Sequence, residues 1–262
     1  MENRIEGKKV FFVYPHSVFQ ENLIQRLVDL EFEMYILKDH EDIYPVLELY
    51  PDAVFFLNID KGLSRNEWEA FVRSLLGLSN GTISLGIFSY EFDRDVAELY
   101  LMELALPCGY IQLKQKLDDA ANIISKTLIA NEVKSRRKYV RYQAGEGSTL
   151  KLNASIHGKL CDGIGVDISS AGMAIIFNEQ DLNIKKNSLL TDLQLNLSGR
   201  RLRVSGVILG FRQESESSRR IFILLFDQKV GSEARSVIRN YVHQQLQQVM
   251  IKALANKGKE PV

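Results

Sequence analysis

The sequence predicts an α/β unit with a doubly wound parallel sheet, followed by a small antiparallel six-stranded β-barrel and a C-terminal helix. Three observations predict this fold class. Short apolar runs alternate with amphipathic stretches over residues 9–130, which is the pattern of βα repeats on a parallel sheet. Short strands separated by turns fill residues 149–226, and several alternate apolar with polar residues, as half-buried barrel strands do. An amphipathic helical pattern occupies residues 232–257.

The composition argues against several classes of partner. The chain has 262 residues, of which 45% are hydrophobic, enough to form the cores of two small domains. Lys plus Arg and Asp plus Glu both total 33, so no overall positive field exists to hold a nucleic-acid polymer or an anionic membrane. Any site for an anionic ligand must therefore be local.

The amino terminus and the cysteines indicate a cytoplasmic protein. The first nine residues are rich in charge, and no apolar run reaches the roughly 18 residues that would span a bilayer. Cys108 and Cys161 lie in different halves of the chain with no CxxC motif, and both have apolar or turn-like neighbours, as reduced core cysteines do. The four histidines are scattered, without zinc spacing. We expect neither membrane insertion nor a metal site.

The elements of the first half follow in order from their apolar spacing. Apolar residues four, four and three apart predict a helix over residues 19–30. Five apolar runs predict the strands Val10–Tyr14, Met34–Leu37, Ala53–Leu57, Ile83–Phe88 and Tyr110–Leu113. A last helical repeat predicts a helix over residues 116–133 that leads directly into Lys134.

In outline this half resembles a response-regulator receiver domain, although its chemistry departs from that family. A phosphorylated receiver needs acidic residues after the first strand to hold a metal, but residues 14–16 read Tyr-Pro-His. The third strand should end in the acceptor aspartate, but Leu57 or Asn58 occupies that position and Asp60 is displaced. The hydroxyl and lysine positions do match: Ser89 and Lys114. The resemblance implies a degenerate receiver-like domain that is not phosphorylated.

The second half is predicted to contain short strands and then one helix. The strand segments are Thr149–Asn153, Gly165–Ile168, Met173–Phe177, Leu190–Leu197, Leu202–Leu209 and Ile221–Phe226. On the helix, one side carries Val237, Tyr241, Val242, Leu246, Val249 and Met250. This helix could cap the barrel or pair with a second copy in a homo-oligomer. The predicted domains are residues 1–133, 134–230 and 231–262.

Two short motifs thirty residues apart have the chemistry of a guanine-nucleotide receptor. In Arg137-Lys-Tyr-Val-Arg141, each guanidinium can fork onto phosphate oxygens or onto O6 and N7 of guanine, and can stack on the base. In Asp167-Ile-Ser169-Ser-Ala-Gly172, the carboxylate can accept hydrogen bonds from N1–H and N2–H of guanine. The serine can bond a base or a phosphate, and the glycine permits close backbone approach.

The pair of motifs resembles the RxxxR and (D/N)xSxxG motifs of PilZ domains, the bacterial receptors for the second messenger cyclic di-GMP. The resemblance covers roughly residues 134–230. It implies a non-enzymatic signalling effector without a cofactor, which acts on a downstream protein partner. It also implies ligand contacts by Arg137, Arg141, Asp167, Ser169 and Gly172, and by Arg136, where a second basic residue often lies.

Other functions stay open at this point. Asp, Ser and Gly are ordinary turn residues, so the chain could be an interaction adaptor that binds no nucleotide. Aromatic residues interleave with basic ones over Lys138–Tyr142, a pattern that can stack single-stranded nucleic acid, although the short basic patch makes this use the weaker one. Gly77–Gly81 matches GxSxG, but it follows a predicted helix and precedes a strand, the reverse of the order in a serine hydrolase.

Overall fold

The computed structural model of the chain describes residues 7–15, 18–79, 83–91, 93–114, 116–134, 137–145, 150–179, 182–213 and 219–257. The chain forms two compact units. The first comprises Met1–Lys138 and Leu246–Val262, and the second comprises Tyr139–Gln245. The domain limits predicted above stay a prediction.

The first unit contains a five-stranded parallel sheet in the order β2-β1-β3-β4-β5. Its strands are β1 (Val10–Val13), β2 (Met34–Leu37), β3 (Val54–Asn58), β4 (Ser84–Ser89) and β5 (Tyr110–Gln112). Its helices are α1 (Val18–Asp29), α2 (Ile43–Leu49), α3 (Arg65–Leu78), α4 (Arg94–Glu98) and α5 (Leu117–Ala130). A π-helical turn, Leu99–Glu103, continues α4. The predicted doubly wound parallel sheet is confirmed.

Both faces of this sheet are buried, which explains the continuous apolar runs in its strands. Successive residues of a strand point to opposite faces. Phe11 accordingly stacks on Phe55, with ring centroids 5.3 Å apart, and Phe12 stacks on Phe56 on the other face, also at 5.3 Å. Helices from both sides complete two separate apolar cores.

The second unit contains a closed antiparallel barrel. Its strands are β6 (Arg141–Gln143), β7 (Lys151–Ile156), β8 (Lys159–Ser169), β9 (Gly172–Phe177), β10 (Leu189–Leu197), β11 (Arg200–Gln213) and β12 (Arg220–Phe226). Helix α6 (Ser232–Lys257) follows, with its residues up to Gln245 in this unit and the rest in the first. The ring runs β8-β7-β10-β11-β12-β9 and closes through the β8–β9 pairing. The predicted six-stranded barrel is confirmed, and β6 is an additional short strand paired with the end of β8.

Helix α6 contributes residues to both compact units. In its first half, Ile238 and Tyr241 are buried, and the Tyr241 ring meets Tyr142 of β6 edge to face at 6.2 Å. In its second half, the Gln247 side chain donates to the carbonyl of Ile36 (2.9 Å) and accepts from its N–H (2.8 Å), which satisfies both backbone polar groups of one residue on the edge strand β2.

Val249, one of the apolar residues that the spacing places on one side of α6, is 52% exposed. Met250 of the same set is buried, so these apolar residues differ in exposure along the helix.

Three further findings concern the cysteines, the helices and the distribution of metal-ligating side chains. Cys108 and Cys161 are free and buried, as expected, and burial raises the pKa of the Cys108 thiol to about 12. Across the described ranges, no helix combines the length and the apolar character needed to cross a bilayer. Among those same residues, no cluster of three or more His, Cys, Asp or Glu side chains is arranged to hold a metal ion.

Candidate functional site

A β-bulge in β8 determines which way the second motif faces. In the pairing of β8 with β9, Gly165 lies opposite Ile175 and Asp167 opposite Ala174, so Val166 is one extra residue. A residue inserted in this way moves all later side chains to the other face of the strand. Gly165 points inward, since a Cβ placed on it would overlap the side chains of the barrel core. Asp167, two residues later, consequently points outward.

Strand β6 brings the first motif alongside the second on this outer face. The buried pair Tyr142–Ile168 faces the barrel interior, and directly opposite residues of an antiparallel pair share a face. The pairs on either side of it therefore lie on the outer face: Arg141–Ser169 and Gln143–Asp167. The pairing of these three residues of β6 with β8 thus brings parts of both motifs together.

Arg141 and Asp167 form the polar contact of this face. Arg141 Nη1 lies 3.4 Å from Asp167 Oδ2, a long distance for a charge-assisted bond, which is usually about 2.7–2.9 Å. The arginine side chain is 43% exposed, whereas the aspartate side chain is only 11% exposed. The guanidinium is therefore only weakly paired with the largely buried carboxylate. Both groups can still form hydrogen bonds to a ligand.

Ser169 closes the turn between β8 and β9. Its hydroxyl donates to the carbonyl of Gly172 (3.2 Å) and accepts from the N–H of Ala171 (3.3 Å). The residue is only 4% exposed. These two bonds give Ser169 a structural role in the hairpin, and one acceptor position of the hydroxyl remains for a ligand.

Gly172 begins β9 where two strands approach closely. A Cβ at this position would lie 2.2 Å from the carbonyl oxygen of Leu224 on β12. The close backbone approach expected at this glycine is therefore an approach of the neighbouring strand. A role for Gly172 in contacting the ligand stays a prediction.

Arg235, which the sequence analysis missed, holds this turn from the first turn of α6. Its guanidinium donates to three carbonyls, those of Ser170 (2.6 Å), Asp227 (3.0 Å) and Val230 (3.2 Å). The sequence contains one signal for it, because a basic residue in the first turn of a helix opposes the helix dipole. An arginine in the first turn of a helix therefore indicates that specific hydrogen-bond acceptors lie nearby and offset this unfavourable position.

The remaining residues of the first motif lie before β6. Arg137 is exposed and follows α5 in the coil that leads to β6. It is grouped with the first compact unit, whereas Arg141, Asp167, Ser169 and Gly172 belong to the second. Arg136 lies outside the described residues. The structure therefore brings together one arginine of the first motif and all three named residues of the second.

At the carboxyl edge of the parallel sheet, the polar groups bond one another. Asn58 is fully buried at the end of β3, donates to the carbonyl of Tyr14 (3.0 Å) and accepts from the N–H of Asp60 (3.1 Å). Both carboxylate oxygens of Asp60 accept hydrogen bonds, from the Ser89 hydroxyl at 2.6 Å and from the Tyr90 N–H at 2.7 Å. An amide therefore occupies the end of β3, and both carboxylate oxygens of Asp60 are hydrogen-bonded. That this unit is not phosphorylated stays a prediction.

An aromatic side chain occupies the position after β1. The Tyr14 hydroxyl lies 2.9 Å from His40 Nδ1, and burial raises the pKa of this hydroxyl above its ordinary value. His16, the other side chain considered at this edge, lies outside the described residues, and Lys114 is exposed.

Similarity to known proteins is found among solved structures, at low sequence identity. No protein-family model matches the sequence, and no curated protein matches it significantly. Among solved structures, the PilZ domain with c-di-GMP of YcgR from Escherichia coli is 11% identical, with a TM-score of 0.41 over 45% of this chain and 98% of that chain. The Bacillus subtilis inhibitor of motility (MotI/DgrA) is 18% identical, with a TM-score of 0.38 over 44% of this chain. The signal receiver domain of NarL from Mycobacterium tuberculosis is 15% identical, with a TM-score of 0.35 over 49% of this chain and 99% of that chain.

The match spans about half of the Bacillus protein, 53% of its length. The strand order of the parallel sheet, the closed six-stranded barrel and the β8–β9 hairpin with the Asp-x-Ser-x-x-Gly motif are all features of this chain itself. The chain therefore combines an α/β unit built on a five-stranded parallel sheet with a closed six-stranded antiparallel β-barrel, and a helix follows the barrel.

Proposed function

We propose that this protein is a cyclic di-GMP-binding signalling effector whose barrel holds the dinucleotide on its outer face. One observation carries the proposal. The long, partly exposed side chain of Arg141 lies beside the largely buried carboxylate of Asp167, with Nη1 3.4 Å from Oδ2. The pairing of β6 with β8 fixes their backbones, and the hydrogen bond from Arg235 to Ser170 holds the adjacent turn. The two groups are therefore arranged before a ligand binds.

The chemistry of the two groups matches that of the ligand. The guanidinium supplies a permanent positive charge and a planar fork, which suit a phosphate or the O6 and N7 atoms of guanine. Asp167 accepts hydrogen bonds only, so it favours the N1–H and N2–H donors of guanine. Adenine offers an acceptor at N1, which a carboxylate rejects. Arg137, and Arg136 before it, would supply further charge from the segment that precedes β6.

The signal would pass through that same segment. Arg136 and Arg137 follow α5, so their closure over the ligand would change the orientation of the receiver-like unit. We expect cyclic di-GMP to alter the small-angle scattering profile and to slow hydrogen exchange around residues 134–143. Scattering and exchange that stay unchanged at saturation would contradict this mechanism while leaving ligand binding intact.

Alanine substitutions test the clamp directly. Arg141→Ala and Arg137→Ala should each weaken cyclic di-GMP binding by about 10- to 150-fold, because each removes a charge-assisted contact worth about 1.5–3 kcal/mol. Isothermal titration calorimetry against the parent measures this loss. Arg141→Lys is the matched control, since it keeps the charge without the fork and should recover only part of the affinity.

Two outcomes would contradict these assignments. Variants that bind as tightly as the parent would show that the two arginines do not contact the ligand. A parent protein that binds no cyclic di-GMP at all would overturn the proposed function and favour an interaction adaptor.

A further inference from the structure

The outer face holds one more polar side chain beside Asp167. Gln143, the last residue of β6, lies directly opposite Asp167 in the strand register. Its side chain is exposed, and it lies outside both sequence motifs. Arg141 lies two residues earlier on the same strand and contacts Asp167 along the diagonal. The carboxylate is therefore flanked on one strand by a guanidinium and by an amide.

The hydrogen-bond pattern of the strands makes Gln143 and Asp167 close neighbours. The N–H of Ala144 donates to the carbonyl of Val166 at 2.8 Å, so these two residues form a hydrogen-bonded pair. Such pairs alternate with non-hydrogen-bonded pairs along an antiparallel ladder. Gln143–Asp167 is consequently a non-hydrogen-bonded pair, in which Cα atoms are typically about 4.5 Å apart and the side chains lie closest together.

An amide beside a carboxylate complements the Watson–Crick edge of guanine. That edge presents an acceptor, O6, followed by two donors, N1–H and N2–H. A carboxylate can satisfy both donors but repels O6, whereas the NH₂ group of a glutamine donates to an acceptor. Adenine presents a donor at position 6 and an acceptor at N1, so the same pair of side chains disfavours it.

We propose that Gln143 is a specificity-determining residue that donates to O6 of a guanine whose N1–H and N2–H bond to Asp167. This inference rests on the proposed function and extends it, because it assigns recognition of one base to a residue outside the two motifs. Arg141 is then left to bond a phosphate or the N7 side of a base.

Calorimetry with two cyclic dinucleotides tests this assignment. Gln143→Leu keeps the volume and removes the donor, so affinity for cyclic di-GMP should fall by about 2- to 13-fold, the loss of one neutral hydrogen bond. Cyclic di-IMP retains O6 and N1–H and lacks the 2-amino group. The same substitution should therefore weaken cyclic di-IMP binding by the same factor. Gln143→Glu should cost more, because it presents a second carboxylate to O6.

The controls separate this inference from the function on which it rests. Gln213→Leu changes an exposed strand glutamine whose partner is Arg220 on β12, and it should leave affinity unchanged. If the parent binds cyclic di-GMP, Arg141→Ala loses binding and Gln143→Leu equals the parent, only the role of Gln143 is overturned. A loss seen with cyclic di-GMP but absent with cyclic di-IMP would overturn the O6 assignment. Failure of the parent to bind would overturn both proposals.

Discussion

Gly172→Ala is expected to destabilise the barrel by about 3 kcal/mol or more, beyond the usual cost of overpacking a core. The added methyl group would lie 2.2 Å from the carbonyl oxygen of Leu224. That oxygen belongs to the backbone of β12, so no side-chain rotation can relieve the overlap. The β9–β12 pairing must separate locally, and the β8–β9 hairpin moves with it. Chemical denaturation followed by circular dichroism measures the loss.

Gly210→Ala is the matched control for this substitution. Gly210 also lies in a barrel strand, β11, but a Cβ there would meet nothing within 4 Å. Alanine should be tolerated or stabilising, by up to about 1 kcal/mol, because it restricts the unfolded chain. Equal stability of the Gly172→Ala variant and the parent would show that the strands do not approach as closely as the structure has them.

Arg235→Met should lower the free energy of unfolding of the barrel by about 2–4 kcal/mol. Methionine retains an unbranched apolar stem and loses the donors to the carbonyls of Ser170, Asp227 and Val230. A buried carbonyl left without a partner costs the full penalty of its desolvation. Because Ser170 lies within the second motif, the substitution should also weaken cyclic di-GMP binding, through movement of the turn that Arg235 holds.

Lys252→Met controls for the loss of a cation from the same helix. Lys252 is exposed on α6, so its replacement should change stability by less than about 0.5 kcal/mol. If Arg235→Met is as stable as Lys252→Met, the three hydrogen bonds do not hold the turn. If it is destabilised yet binds the ligand as the parent does, the turn tolerates movement without loss of the site.

The buried strands of the first unit could be predicted almost to the residue, because both sheet faces are covered and apolar runs mark them plainly. The barrel was predicted less completely. Strand β8 begins at Lys159, six residues before the predicted segment, because its first half follows the two-residue turn His157–Gly158. Both turn residues have positive φ, 52° and 78°, as in the tight turns that join hairpin strands.

The candidate site, too, could be predicted only in part from the sequence. The motifs themselves named Arg141 and Asp167, but their meeting depends on strand register and on an extra residue at Val166. A bulge moves side chains between faces without any distinctive residue type, so periodicity alone does not reveal it. Gln143 and Arg235 were missed for a related reason, because their roles arise from pairing across distant parts of the chain.

Titration of the parent protein with cyclic di-GMP and, separately, with cyclic di-AMP tests the central claim most directly. Both ligands carry the same two phosphates, so only the bases differ. The account predicts saturable binding of cyclic di-GMP and affinity for cyclic di-AMP lower by about 100-fold or more, because a site built to bond guanine leaves its polar groups unpaired against adenine. Equal affinity for the two, or heat of binding from neither, would contradict it.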